Sequence, residues 1–173
     1  MTVNVQSQSL KDSLIIIYNV VFLEKYVLNT PIRTDVKEVA YISTFPPKKC
    51  GIATFTSDLI NSINQLNKLN CQTIISIHDH SLLKPTYKRK EYAISRDSVE
   101  DYVLMADFLN HSKVNVVNIQ HEFGIFGGES GEYICAFLDK LKKPVATTLH
   151  TVLPNFEGKT KDVFNRIVEK AQL

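Results

Sequence analysis

The chain has no tryptophan, only three cysteines, six glycines and six prolines in 173 residues. So little glycine and proline excludes a collagen-like or low-complexity disordered chain. Cys50, Cys71 and Cys135 stand far apart, with no CxxC or Cys–His spacing, which excludes a disulfide scaffold and a thiolate zinc site. An odd and sparse set of thiols suits a reducing compartment, so the expected location is cytoplasmic, with peripheral attachment to a membrane left open. No apolar run approaches the ~20 residues that cross a bilayer. The longest, LIIIYNVVFL at 14–23, also lacks the basic flank and small-residue cleavage site of a secretory signal. An excess of charge is absent too. Twenty Lys and Arg against eighteen Asp and Glu leave a net +2, which gives no reason to expect nucleic acid or an anionic membrane as partner. The local basic run KPTYKRK, 84–90, reads as a solvated loop.

What is present suits a folded domain of ordinary size, with 44% apolar and 22% charged residues. Residues 1–36 read as an N-terminal extension of open role, and 37–173 as one domain. From 37 onward the pattern alternates. Short β-rich apolar runs at 38–44, 71–77, 92–95, 114–120 and 144–152 read as strands. Between them, Ile52, Phe55, Leu59, Ile63 and Leu66 recur at steps of three and four, as on one face of a helix. Helices also follow from 98–112, where Ser98 and Asp101 form a capping-box-like start, from the Tyr133, Phe137 and Leu141 stripe, and from 159–173. Strands alternating with helices predict an α/β fold, a Rossmann-like doubly wound parallel sheet.

In such folds ligands bind beyond the carboxyl ends of the strands, and three segments fall there. In STFPPKKCGIATF, prolines end a strand and Gly51 opens the next helix. Unpaired N–H groups at a helix start attract anions, a glycine lets a phosphate come close, and Lys48 and Lys49 add charge. A single glycine is not the GxGxxG of a dinucleotide fold, and a plain structural turn explains this segment equally well. In NIQHEFGIFGGESG, His121 and Glu122 follow a strand and should project into the crevice, ahead of a loop holding four of the six glycines. That loop, Gly124 to Gly131, reads as permissive and mobile. In TTLHTV, His150 again ends a strand; two histidines at one edge point to a site more than either alone. The triplet His78, Asp79 and His80 raises a different reading, a metal-dependent hydrolase in which both imidazoles meet one ion, although no third ligand is evident nearby.

The segments AYISTFPPKKCGIATFTSDL, VNIQHEFGIFGGESGEY and PVATTLHTVLPNF resemble the N-terminal domain of glycosyltransferase family 4, in its group 1, mannosyltransferase-like branch. The likeness covers about 38–173 and implies one half of a GT-B fold. It implies a retaining enzyme that moves a hexose, mannose or glucose, from a nucleotide sugar to a carbohydrate or lipid-linked acceptor. No metal or other cofactor is implied, since the nucleotide sugar is a co-substrate. By the same resemblance Gly51, flanked by Cys50 and Ile52, approaches the donor diphosphate. His121 lies by the transferred sugar and acts in catalysis, while Glu122, Gly127, Gly128, His150 and Thr151 line the acceptor side. The family's second Rossmann domain, which holds most of the donor, has no counterpart in these residues. The chain alone is therefore expected to be an incomplete, inactive fragment; a non-catalytic binding or interaction module is the alternative.

Overall fold

The computed structural model describes residues 38–67, 72–79 and 90–171. The extension 1–36, the side chain of Leu66, Cys71, His80 and the basic run as far as 89 lie outside the described residues. Five strands, β1 (Val39–Ser43), β2 (Gln72–His78), β3 (Lys90–Ser95), β4 (Val116–His121) and β5 (Val145–Leu149), form one parallel sheet. Their order is β3-β2-β1-β4-β5, which is the Rossmann-like doubly wound arrangement. Among the described residues four α-helices accompany them: α1 (Gly51–Asn67), α2 (Val99–His111), α3 (Tyr133–Lys140) and α4 (Gly158–Ala171).

Right-handed crossovers distribute the helices. Stepping outward from β1 to β2 places α1 on one face, and returning through β4 to β5 places α2 and α3 on the other. Alternate strand residues follow suit, because successive side chains point to opposite faces. Ala40, Ile42, Ile75, Ile77, Val117 and Ile119 join Tyr102, Leu109, Ile134, Phe137, Val163 and Ile167 in the large core beneath α2, α3 and α4. Tyr41 and Ile74 meet Ile60 and Phe45 in a smaller core beneath α1. Each large apolar side chain so buried contributes roughly 1.5–3 kcal/mol.

Local chemistry sets the element ends. Pro46 and Pro47, joined by a cis bond, carry no N–H for the ladder, so β1 stops before them. The Ser98 hydroxyl accepts from the Asp101 amide at the start of α2, as the capping pattern anticipates. In α1 the apolar face is rotated from the expected stripe: Ala53, Thr56 and Ile60 are buried, while Phe55 is 45% exposed. Thr56 fits inside because its hydroxyl donates to the Ile52 carbonyl (2.7 Å) and meets the Ser43 hydroxyl (2.9 Å). At the amino edge, far along the strands from the crevice, the buried Glu38 carboxylate accepts from Thr73 (2.9 Å) and Lys90 (2.7 Å), tying three strands together.

Candidate functional site

The strand order reverses between β1 and β4, whose carboxyl ends are therefore the switch point at which this fold class opens a crevice. On the β1 side the chain leaves through Pro46 and Pro47 and enters α1 at Gly51. Cys50 caps that helix: its Sγ lies 3.4 Å from the Ala53 amide it accepts from, and 3.2 Å from the Thr44 hydroxyl. Among the described residues the amides of Gly51 and Ile52 have no acceptor. A Cβ placed on Gly51 would meet nothing within 4 Å, so the backbone here faces open space. Two free N–H groups at the positive end of a 17-residue helix make an anion-accepting corner. Lys48 is not free for it in this arrangement, because its ammonium pairs with Asp79 at 3.0 Å, and Arg96 approaches the same carboxylate at 3.8 Å.

His121, expected to project into the crevice, is instead fully buried. Its position shares the parity of Ile119, so its ring turns toward the large core. Phe126 stacks on it (centroids 5.4 Å, planes 13° apart) and Phe123 meets it edge-on at 4.8 Å. Neither ring nitrogen has a hydrogen-bond partner. Burial in these aromatic walls pushes its pKa down to about 4, with Glu122 pulling weakly the other way and His150 adding to the fall. The ring is therefore a neutral imidazole at neutral pH.

The glycine-rich loop that covers it is tied down. The Gly127 amide donates to the Tyr102 hydroxyl (3.1 Å), which itself donates to the Arg96 carbonyl (3.4 Å). Burial pushes the Tyr102 pKa up to about 12, so the phenol keeps its proton. A Cβ on Gly127 would fall 1.7 Å from the Arg96 carbonyl oxygen and 2.7 Å from the Tyr133 ring. Gly127 is thus required by close packing, and Gly128 and Gly131 by φ values of +79° and +76°. The Ser130 hydroxyl meets that of Thr160 on α4 at 2.8 Å. The mobile loop read from the glycine cluster is, in the structure, a close-packed cover.

Glu122, His150 and Thr151 come together at the carboxyl ends of β4 and β5. The Thr151 hydroxyl donates to the Glu122 carboxylate, and the His150 amide donates to the His121 carbonyl (2.9 Å), continuing the β4–β5 ladder. Phe55, from the start of α1, meets the His150 ring edge-on at 5.0 Å, joining the first loop to the third. His150 Nε2 lies 2.9 Å from Oε1 of Gln120, a buried residue that motif reading passed over. A signal for it is present in the sequence: Asn118 and Gln120 are polar residues two apart on one face of β4, and Thr148 and His150 are spaced the same way in the next segment.

His78 sits apart, at the end of β2. Its Nε2 lies 2.7 Å from the Ser76 hydroxyl, and burial lowers its pKa. The described residues hold no group of three or more metal-ligating side chains, and His80 lies outside them. No helix among the described residues is long and apolar enough to cross a membrane.

No protein-family model and no curated protein matches the chain. Among solved structures, it is similar to homoserine dehydrogenase of S. aureus, at 12% identity and a TM-score of 0.40. The match covers 78% of this chain and 30% of the dehydrogenase, so the chain spans less than a third of that protein's length.

Proposed function

We propose that residues 38–171 form the acceptor-side half of a retaining glycosyltransferase that takes a hexose from a nucleotide sugar. One observation carries the reading: two open amides, at Gly51 and Ile52, lie at the same switch-point edge as the strand-end residues Glu122, His150 and Thr151. Glycosyl transfer separates a diphosphate from a sugar that gains positive charge, so it needs fixed donors around the diphosphate and hydroxyl-binding groups beside the sugar. The α1 corner offers the first and the β4–β5 edge the second. In this reading His121 is the sugar-side group. Its two orphaned nitrogens are atoms that a sugar hydroxyl would satisfy once the Phe123–Phe126 cover yields. A second domain closing on this edge would supply the remaining donor contacts and exclude water.

The test uses the chain joined to a donor-binding half. Hexose transfer from a nucleotide sugar should fall by about two orders of magnitude in His121→Ala with the circular dichroism unchanged. Gly51→Val should raise the KM for the donor by crowding the diphosphate. Normal kinetics in both variants would sink the reading.

A binding module without catalysis has one observation in its favour. Phe55, Val152 and Leu153 are 45%, 57% and 48% exposed at this same edge, as for a face that meets another protein. Tight association with a separately encoded partner, without any sugar transfer by the complex, would select it. The metal-hydrolase reading gains no support from His78, whose Nε2 already faces Ser76; stoichiometric zinc or iron in purified protein would restore it.

A further inference from the structure

The sheet face beneath α1 changes character across its width. Over β1 and β2 it is apolar, with Tyr41 and Ile74 against Ile60. Over β4 and β5 it carries Asn118, Gln120, Thr148 and His150, with Gln120 directly opposite Thr148 in the ladder. Gln120 is 0% exposed, so each polar atom of its amide needs a partner. Each has one. Nε2 lies 2.5 Å from Asn118 Oδ1 and 3.2 Å from the Thr148 hydroxyl, and Oε1 lies 2.9 Å from His150 Nε2.

The roles of these atoms follow in order along the chain of contacts. A carboxamide nitrogen only donates and a carboxamide oxygen only accepts. With Gln120 Nε2 donating to Asn118 Oδ1, Gln120 Oε1 remains as the acceptor, and His150 Nε2 must carry the hydrogen. A neutral imidazole protonated at Nε2 keeps its lone pair on Nδ1. His150 Nδ1 has no partner among the described residues, and the ring is half-buried at the crevice with Phe55 against it. We propose that Gln120 is a positioning residue that holds His150 as the Nε2–H tautomer and so presents Nδ1 as the hydrogen-bond acceptor for a hydroxyl of a carbohydrate ligand. The tautomer rests on the network alone; only the class of ligand rests on the glycosyltransferase reading.

Histidine-ring 15N spectra of the full chain at pH 8, with the His150 signals assigned through His150→Gln, test the network. The wild type should show a protonated Nε2 and an unprotonated Nδ1. Gln120→Met, of similar length but without the amide, should move both His150 ring nitrogens toward the averaged values of a free imidazole. Where that variant fails to fold, Gln120→Glu carries the test: a carboxylate still accepts from Nε2–H, keeps the tautomer, and strengthens that hydrogen bond, which shifts the Nε2 signal. A wild-type ring protonated at Nδ1, as a concerted flip of both amides would require, overturns the proposal. So do His150 signals that neither variant moves.

Methyl α-mannoside and methyl α-glucoside then probe the contact. A saturable shift at Nδ1, with binding weakened about fivefold or more in His150→Gln and less in His150→Asn, supports it, because the Asn amide lies where Nδ1 stood. Binding that is equally strong in His150→Gln overturns the contact. Absence of any saturable shift in the chain overturns the carbohydrate ligand together with the glycosyltransferase reading, and the wild-type and Gln120-variant spectra still decide the tautomer.

Discussion

His121 and His150 end neighbouring strands at the same edge of the sheet and live in opposite surroundings. The first is fully buried between Phe123 and Phe126 with both nitrogens unpartnered. The second is half-buried, with one nitrogen on Gln120 and an edge of Phe55 against its ring. Parity separates them. His121 follows Ile119 onto the core face, whereas His150 lies on the face of Gln120 and Thr148. A motif read as "a histidine at a strand end" therefore covers two different surroundings: a buried ring kept neutral by its aromatic walls and a half-exposed one hydrogen-bonded to Gln120. The buried site stores a cost, since an unsatisfied buried polar group is worth about 1–3 kcal/mol of lost stability.

The comparison can be broken most forcefully from the side of His121. Gly127→Val drives a side chain into the Arg96 carbonyl and the Tyr133 ring, dismantling the cover over His121. Urea unfolding should show a loss of about 3 kcal/mol or more. Next is the pH dependence of His121, whose pKa falls from 6.5 to about 4 on folding. The unfolded chain binds the extra proton between those values. This contribution is therefore present above pH 6.5 and is lost as the pH falls toward 4, on the order of 3 kcal/mol in all. His121→Leu should flatten that part of the pH–stability curve. It should also stabilise the chain at pH 7 by about 1–2 kcal/mol, because it removes two orphaned nitrogens. On the side of His150, His150→Ala should cost about 1 kcal/mol, mostly because the buried Gln120 Oε1 loses its partner. Smallest is Gly51→Val, within about 0.5 kcal/mol in the same assay, because the added side chain meets open space. A large loss there would mean that the α1 corner is closed rather than open to a ligand.

Much of the scaffold was legible before any coordinates. Apolar runs bounded by proline, at the end of one and the start of the other, locate β1 and β5, and Ser98 with Asp101 marks the start of α2 within a residue. The α1 stripe was misplaced by a residue because Phe55 outranks Ala53 and Thr56 in hydrophobicity. Thr56 nevertheless enters the core through its bonds to Ile52 and Ser43, and Phe55 is left for His150. A glycine cluster suggests freedom, yet Gly127 is a contact glycine, and what it contacts, Arg96 and Tyr133, is supplied by other elements. Gln120 is not legible in the sequence as a site residue, because a lone amide in a strand carries no motif; only its partners on β4 and at the end of β5 give it meaning.

Periodicity, proline and capping act over a few residues, so local pattern is enough to give the α/β alternation, the parallel sheet and the clustering of histidines and glycines at the strand ends. Which histidine is buried and which is joined to an amide, whether the glycine loop is loose or packed, and the capping of α1 by Cys50 with two amides beyond it left open all follow from the packed fold. Those outcomes depend on strand parity in a particular sheet and on atoms from elements tens of residues apart. Local patterns do not contain that information.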